Sequence, residues 1–478
     1  MKPRFTAAKI LALAAMLALL GACAAGPKYV RPSVATPAAY KEAGDWKVAQ
    51  PQDTVKRGKW WEIFRDAQLD ALAGQIDISN QNVRIAEARF RQARALVQSA
   101  RAGLFPGVTG GGSVTRSGSP SGATRSSGPA TTYDVSIDAG WEVDLWGRVR
   151  NTVESNVASA EASASDLEAV RLSAQAELAL DYFQLRVLDG QRQLLQNSVA
   201  AFQKSLDLTR NRYAAGVAGK VDVVQAETQL KSTQAQAIDI GVQRAQLEHA
   251  IAILIGRPPA EFALAPIPLN LAMPAIPLSL PSELLERRPD IAAAERRVAA
   301  ANAQVGVAKS AFFPALTLSA SAGFQSSSFA QWLTLPSRFW AVGPAIAQSI
   351  FDAGLRRALT AQAIAVYDAN VAAYRQTVLS GFQEVEDNLA ALHTLEQEAR
   401  VQADAVEASR QAVELTLNQY KAGTVNYLNV VAVQTAQLTN ERTATSILGR
   451  RLTAAVTLVK ALGGGWSTAE LPIPEQPR

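Results

Sequence analysis

Residues 213–224, YAAGVAGKVDVV, return at residues 420–431 as YKAGTVNYLNVV. Tyr213, Gly216, Val221, Val223 and Val224 find counterparts 207 positions on, in Tyr420, Gly423, Leu428, Val430 and Val431. Working outward, Phe105-Pro106 and Phe313-Pro314 lie 208 apart, while Gly147 and Gly354, and Gly256 and Gly463, lie 207 apart. A repeat this long means two similar halves in one fold, with one half able to occupy the place of the other.

Proline placement sets the kind of structure between these landmarks. None occurs between Pro129 and Pro258 or between Pro344 and Pro472, whereas eight crowd into Pro258 to Pro289. Proline breaks helix interiors, so the free stretches can hold long helices, and the crowded one reads as an irregular connector. Residues 151–213 as one helix extend roughly 95 Å at about 1.5 Å per residue. Leu69, Leu72, Ile76, Ser79, Val83, Ala86, Phe90, Ala93, Val97, Ala100 and Leu104 keep spacings of three and four as one run, and Ile291 to Phe312 repeat it. Leu185, Leu188, Leu195, Val199, Phe202, Leu206 and Tyr213 form another such run, broken by Arg192 and Thr209. Sustained heptads on helices of this length predict coiled-coil packing, and the many seam alanines let the helices approach closely.

A fibrous coiled coil would explain the helices alone, but two segments alternate with period two. Leu316, Leu318, Ala320, Ala322 and Phe324 oppose Thr317, Ser319, Ser321, Gly323 and Gln325; Val135, Ile137, Ala139, Trp141, Val143 and Leu145 oppose Ser136, Asp138, Gly140, Glu142 and Asp144. The repeat adds partners at Val108 to Thr115 and Trp340 to Ile350, although Pro344 interrupts the last strand and Gln348 falls on its apolar face. Strands of about ten residues with one apolar and one polar face suit a membrane β-barrel, lipid outside and water inside. Arg116 to Thr132 and Gln325 to Arg338 read as solvated loops joining the two hairpins. Four strands cannot close a barrel, and hydrocarbon does not tolerate an open sheet edge, so the chain must oligomerise: two copies give eight strands, three give twelve.

The ends bound the setting. Lys2, Arg4 and Lys9 precede an apolar run, Ile10 to Leu20, too short to span a bilayer, so residues 1–22 read as an export signal. Cys23, the single cysteine, follows Leu20-Gly21-Ala22, which resembles a bacterial lipobox in which the cysteine is lipidated; Ala24 is what that resemblance associates with outer-membrane delivery. One cysteine excludes a disulfide scaffold and a thiolate metal cluster, and His249 and His393 read as ordinary helix positions. The net charge of +5 includes the three signal cations, leaving no nucleic-acid footprint. No Gly-x-Ser-x-Gly or His-Glu-x-x-His occurs, and Gly219-Lys220 lacks the flanking residues of a phosphate loop, so the reading is not an enzyme, with no metal and no cofactor beyond a covalent lipid on Cys23.

Cys23, Trp60-Trp61 with Phe64 and Leu69, ELLERRPDI at Glu283 to Ile291, Phe312-Phe313-Pro314, Phe351-Asp352-Ala353-Gly354, the paired Tyr-x-x-Gly turns, and Ala461-Leu462-Gly463-Gly464-Gly465-Trp466 run in order along the mature chain. Together they resemble the outer membrane factor family of TolC-like channels, lipoprotein branch. The resemblance implies a mainly α chain with a transmembrane β part: a homotrimer with four strands per chain in one 12-stranded β-barrel, continued by a periplasmic α-barrel of long helices. It implies a passive exit duct for drugs or other small solutes, docked on a periplasmic adaptor and an inner-membrane RND-type pump, with outer membrane lipid around it. It places adaptor docking at Tyr213, Gly216, Val217, Tyr420, Gly423 and Thr424, and a constriction at Leu428, Asn429 and Val431, with Asp222 after the first turn. Relatives often carry acids where Asn429 and Ala432 stand, so the expected constriction is mainly apolar, with weak cation affinity. An outlet for polypeptides and a structural coiled-coil envelope lipoprotein are the alternatives.

The chain thus divides into a signal (1–22), a lipidated segment (23–65), a first repeat (66–256, hairpin about 108–145), a connector (257–289), a second repeat (290–463, hairpin about 315–350) and a tail (464–478).

Overall fold

The computed structural model describes residues 25–43, 59–118, 129–267, 273–274, 276 and 287–466. The signal, Cys23, residues 119–128 of the first hairpin loop, much of the connector with Glu283 to Glu286, and residues 467–478 of the tail lie outside the described residues.

The first repeat contains α1 (Ala67–Ser79), α2 (Gln81–Ala102), β1 (Gly107–Ser117), β2 (Ala130–Val143), α3 (Arg148–Ala214) and α4 (Lys220–Leu254). The second contains α5 (Pro289–Ser310), β3 (Ala315–Ser326), β4 (Arg338–Ala347), α6 (Leu355–Ala422) and α7 (Tyr427–Ala461). At 67 and 68 residues, α3 and α6 are each about 100 Å long. Each shorter pair runs end to end beside a long helix, because α2 starts where α4 ends and α5 starts where α7 ends. Ser79 donates to the Ile255 carbonyl (2.6 Å) and Asn80 to that of Leu254 (2.7 Å); in the second repeat Arg288 donates to the Ala461 carbonyl. Gly256 (φ 69) and Gly463 (φ 92) sit at these two splices, where a Cβ would stand 2.3 Å from the Ser79 oxygen and 1.9 Å from that of Arg287. Glycine is needed there for space as well as for dihedral angle.

The result is a layer of helices whose successive neighbours are α2 and α4, then α3, then α5 and α7, then α6. Alanines at 158, 160, 162 and 164 of α3 and 292, 293, 299, 301 and 303 of α5 are buried. One core gathers Trp60, Trp61, Phe64, Phe183 and Tyr374 near the splices; a second, toward the helical tip, holds Leu195, Phe202, Leu206, Leu230, Tyr420 and Tyr427. Between them, Arg186, Asp189 and Arg244 form a buried ion cluster that also binds the carbonyls of Leu264 and Ala265, fastening the start of the connector to α3 and α4. Residues 25–43 make a strap over the second repeat, from the Trp146 carbonyl past Glu295 and Asn302 to Glu386.

The sheet runs β1-β2-β3-β4, antiparallel throughout. Its register, Val114 opposite Tyr133, Val135 opposite Phe324, Ala320 opposite Val342, puts the large apolar residues of all four strands on one face, except Phe339, which lies opposite Gly323 on the other. Ile137, Leu318, Trp340, Val342 and Ile346 on that face are exposed in the single chain. The other face carries Thr, Ser, Asp138, Glu142 and Gln325.

Four sequence expectations change in detail. The unbroken run from Leu69 to Leu104 is two helices, because Asn80 leaves the helical region and its side chain caps α2 by accepting from the Val83 amide. Strand β2 ends at Val143 rather than Leu145: Asp144 accepts the Val149 and Arg150 amides and starts α3. Strand β4 is Arg338–Ala347, two residues earlier at its start than expected, so Gln348 lies outside it and donates to the Phe312 carbonyl; Pro344 fits because β4 is an edge of the chain's own sheet. The segment read as a solvated loop from Gln325 to Arg338 holds an aromatic cluster, Phe329 and Trp332 packing on Tyr133.

Candidate functional site at the helical tip

Both repeats reverse direction at the end of the helix layer far from the sheet. Helix α3 ends with the Val217 amide donating to the Arg212 carbonyl (3.0 Å), and α6 with the Thr424 amide donating to Gln419 (3.1 Å). These six-residue closures need a left-handed residue, supplied by Gly216 (φ 73) and Gly423 (φ 79). The side chain of Thr424 adds a second bond to the Gln419 carbonyl (3.0 Å). Helix α4 then starts with the Asp222 carboxylate accepting from the Gly219 amide (3.3 Å), and α7 with Asn426 accepting from the Asn429 amide (3.2 Å).

The two tyrosines that lead the repeated motif have opposite fates. Tyr213 is 47% exposed, while Tyr420 is 2% exposed. Tyr420 meets Tyr427 edge to face at 5.4 Å, its hydroxyl donates to Thr209 Oγ1 (3.3 Å), and the Arg212 guanidinium lies 4.8 Å above its ring while donating to the Lys421 carbonyl (2.9 Å). Deeper in the same seam Gln434 donates to Ser205 Oγ (3.1 Å). Burial, then the Tyr420 phenol, push the Tyr427 hydroxyl up to about 12, and the Asp222 carboxylate is near enough to add to that push. A polar seam therefore binds the lower end of α3 to α6 and α7.

Of the residues expected at the tip, Gly216, Val217, Gly423 and Thr424 are exposed together at the two turns, with Tyr213 beside the first. Tyr420 lies beneath that surface. Leu428 (55% exposed) and Asn429 project from the first turn of α7; Val431 is half-buried; Asp222, also half-buried, is engaged in starting α4. The sequence reading missed Arg212, Thr209, Ser205, Tyr427 and Gln434. Thr209, taken as a break in a heptad run, is fully buried, and Gln434 continues the spacing Tyr427, Val430, Gln434, Leu438; a polar residue on such a seam was the available signal. Among the described residues no group of three or more His, Cys, Asp or Glu could hold a metal ion. No described helix is long and apolar enough to cross a membrane.

The profile of the outer membrane efflux protein family matches residues 72–257 and again 280–464, one match per repeat. The chain belongs to this family. Among its relatives, the probable efflux pump outer membrane protein TtgC of Pseudomonas putida is 30% identical over 96% of both chains. The pyoverdine export outer membrane protein OpmQ of Pseudomonas aeruginosa is 31% identical over 96% of this chain and 98% of its own. Among solved structures, the outer-membrane channel OprN superposes with a TM-score of 0.87 at 32% identity, covering 92% of this chain and 99% of that one. The open state of the Neisseria gonorrhoeae MtrE outer membrane channel gives 0.82 at 30%, covering 93% and 99%. The outer membrane efflux protein described here is thus a mainly helical, internally duplicated channel subunit of the TolC-like architecture, with the outer membrane as its place of work.

Proposed function

We propose that three copies assemble into the passive exit duct of a tripartite efflux system, one four-stranded sheet per copy closing a 12-stranded barrel. The observation that carries this reading is the sheet itself: two open edges, one apolar and one polar face, and direct continuity with a helix layer about 100 Å long. A single copy leaves both edges unpaired in hydrocarbon. Twelve strands leave room for an aqueous pore, lined by the Thr/Ser/Asp/Glu face.

At the other end, Tyr213, Gly216, Val217, Gly423 and Thr424 form the surface offered to a periplasmic adaptor, with Tyr420 supporting it from below, and the adaptor connects the duct to an inner-membrane RND-type pump. Leu428, Asn429 and Val431 form the constriction, with Asp222 at its margin. With Asn429 and Ala432 there in place of acids, the constriction is mainly apolar and binds divalent cations weakly. The cargo is small molecules; relatives named for toluene, antibiotics and pyoverdine share this architecture, so selection falls to the pump. A lipid on Cys23 anchors the N-terminus to the outer membrane. The test is single-channel conductance in planar bilayers with native mass measured in parallel. Trimers with discrete conductance that rises for Leu428→Ala support the duct; monomers without conductance overturn it.

A further inference from the structure

The β3–β4 loop, residues 327–337, contains no charged side chain, yet Phe329, Leu333 and Leu335 in it are 68–73% exposed. It is a built structure. The Ser328 amide donates to Ser326 Oγ, Thr334 and Ser337 hydroxyls both donate to the Gln331 carbonyl at 2.7 Å, and two short 3₁₀ turns shape it. Its direction is fixed by its contacts. Phe329 and Trp332 pack on Tyr133 with ring centroids 5.5 and 5.7 Å away, and the Trp332 indole donates to the Phe324 carbonyl (3.3 Å). Tyr133 and Phe324 share the apolar face of the sheet with Val135, Ile137 and Trp340. The loop therefore folds outward over that face, away from the polar face.

Two arginines flank this cluster on the same face. Arg338, opposite Phe324, follows the loop directly, and Arg116 lies two residues beyond Val114, which is opposite Tyr133. Both are exposed, and neither joins an ion pair among the described residues. An arginine at the edge of an apolar band reaches naturally to the headgroup layer.

We infer that this loop is a foot set in the outer leaflet, with Phe329, Leu333 and Leu335 among acyl chains and Arg116 and Arg338 on the phosphate of an anionic lipid. The occupant is lipid because the foot continues the apolar face without a break and adds only positive charge at its rim. It would hold the barrel at fixed depth and leave the pore mouth open. The inference rests on the channel reading, which places the apolar face in the bilayer.

The experiment uses full-length protein in vesicles of phosphatidylcholine with phosphatidylglycerol, carrying a nitroxide at Leu333→Cys or, as reference, Val342→Cys on the sheet; unmutated protein, whose single cysteine is Cys23, is the blank. Both labels should be relaxed by oxygen and shielded from an aqueous nickel chelate. A shielded Val342 label with a nickel-accessible Leu333 label overturns the foot and leaves the channel standing; two accessible labels overturn the channel reading itself. The Arg116→Gln/Arg338→Gln variant should lose phosphatidylglycerol preference by about fivefold per arginine. An unchanged preference removes the arginines from the proposal, and displacement of the lipid by inorganic phosphate assigns them to a free anion instead.

Discussion

Ala353 sits at φ 50, in the left-handed region that side chains avoid. Two residues separate Asp144 from Gly147 in the first repeat, and one, Ala353, separates Asp352 from Gly354 in the second, which is why the repeat offset falls from 208 to 207 at this point. Ala353 absorbs the shortened path while Asp352 still accepts the Gly354 and Arg356 amides, as Asp144 accepts those of Val149 and Arg150. Ala353→Gly should therefore raise stability by about 1 kcal/mol, read as a higher midpoint of thermal unfolding of the extracted protein; a lower midpoint would show the residue is unstrained. A second residue carries a pH effect. Burial, with Glu177 four residues before it, raises the Asp181 carboxyl to about 6. The folded state holds this proton more tightly than the unfolded one, so the group's contribution is fully favourable below its ordinary range near 4 and is lost as pH climbs to about 6. Asp181→Asn should stabilise the protein at about pH 7 and make little difference near pH 4. An equal gain at both would assign the effect to packing.

Glycines that all sit at positive φ separate into two kinds once the elements around them are considered. At Gly216 a Cβ meets nothing within 4 Å, so Gly216→Ala should cost only about 1 kcal/mol for its φ of 73. At Gly256 and Gly463 the Cβ would strike the backbone of Ser79 and Arg287, just ahead of the abutting helices, so alanine there should cost about 3 kcal/mol or more and lower the yield of folded protein. Comparable losses at all three would mean that the splices can shift apart. The sequence repeat marked all these glycines, but not their difference, because a shared period reports a shared backbone and says nothing of what abuts it. The strand faces were legible for the same reason in reverse: alternation is a property of the strand alone, and the register preserved it across all four. At the tip the seam's polar positions showed in the heptad spacing but their partners did not, since Thr209 meets Tyr420 across 211 positions and Ser205 meets Gln434 across 229. Removing that seam's contacts with Tyr420→Phe and Arg212→Ala should loosen α6 and α7 from α3 and raise the open probability of the reconstituted channel. Unaltered conductance with an intact fold would confine the seam to stability.

On the scale of the molecule, stability and assembly are tied together, because the exposed apolar face and the two sheet edges are tolerable only in a membrane and in company. Melting of the extracted protein should therefore depend on protein concentration in mild detergent, and a concentration-independent midpoint would mean that the single chain is self-sufficient. The order β1-β2-β3-β4 has one more implication. Strands β1 and β4 run in opposite directions, so β4 of one copy can continue into β1 of the next as a ladder like those within the chain. Such a contact joins unlike edges and closes only as a ring whose members all face one way. A subunit with one ruined edge still recruits a neighbour through the other, then halts the ring. Genes encoding edge-defective and intact subunits, expressed together in equal amounts, should leave about one assembly in eight whole, making such alleles dominant poisons rather than silent losses.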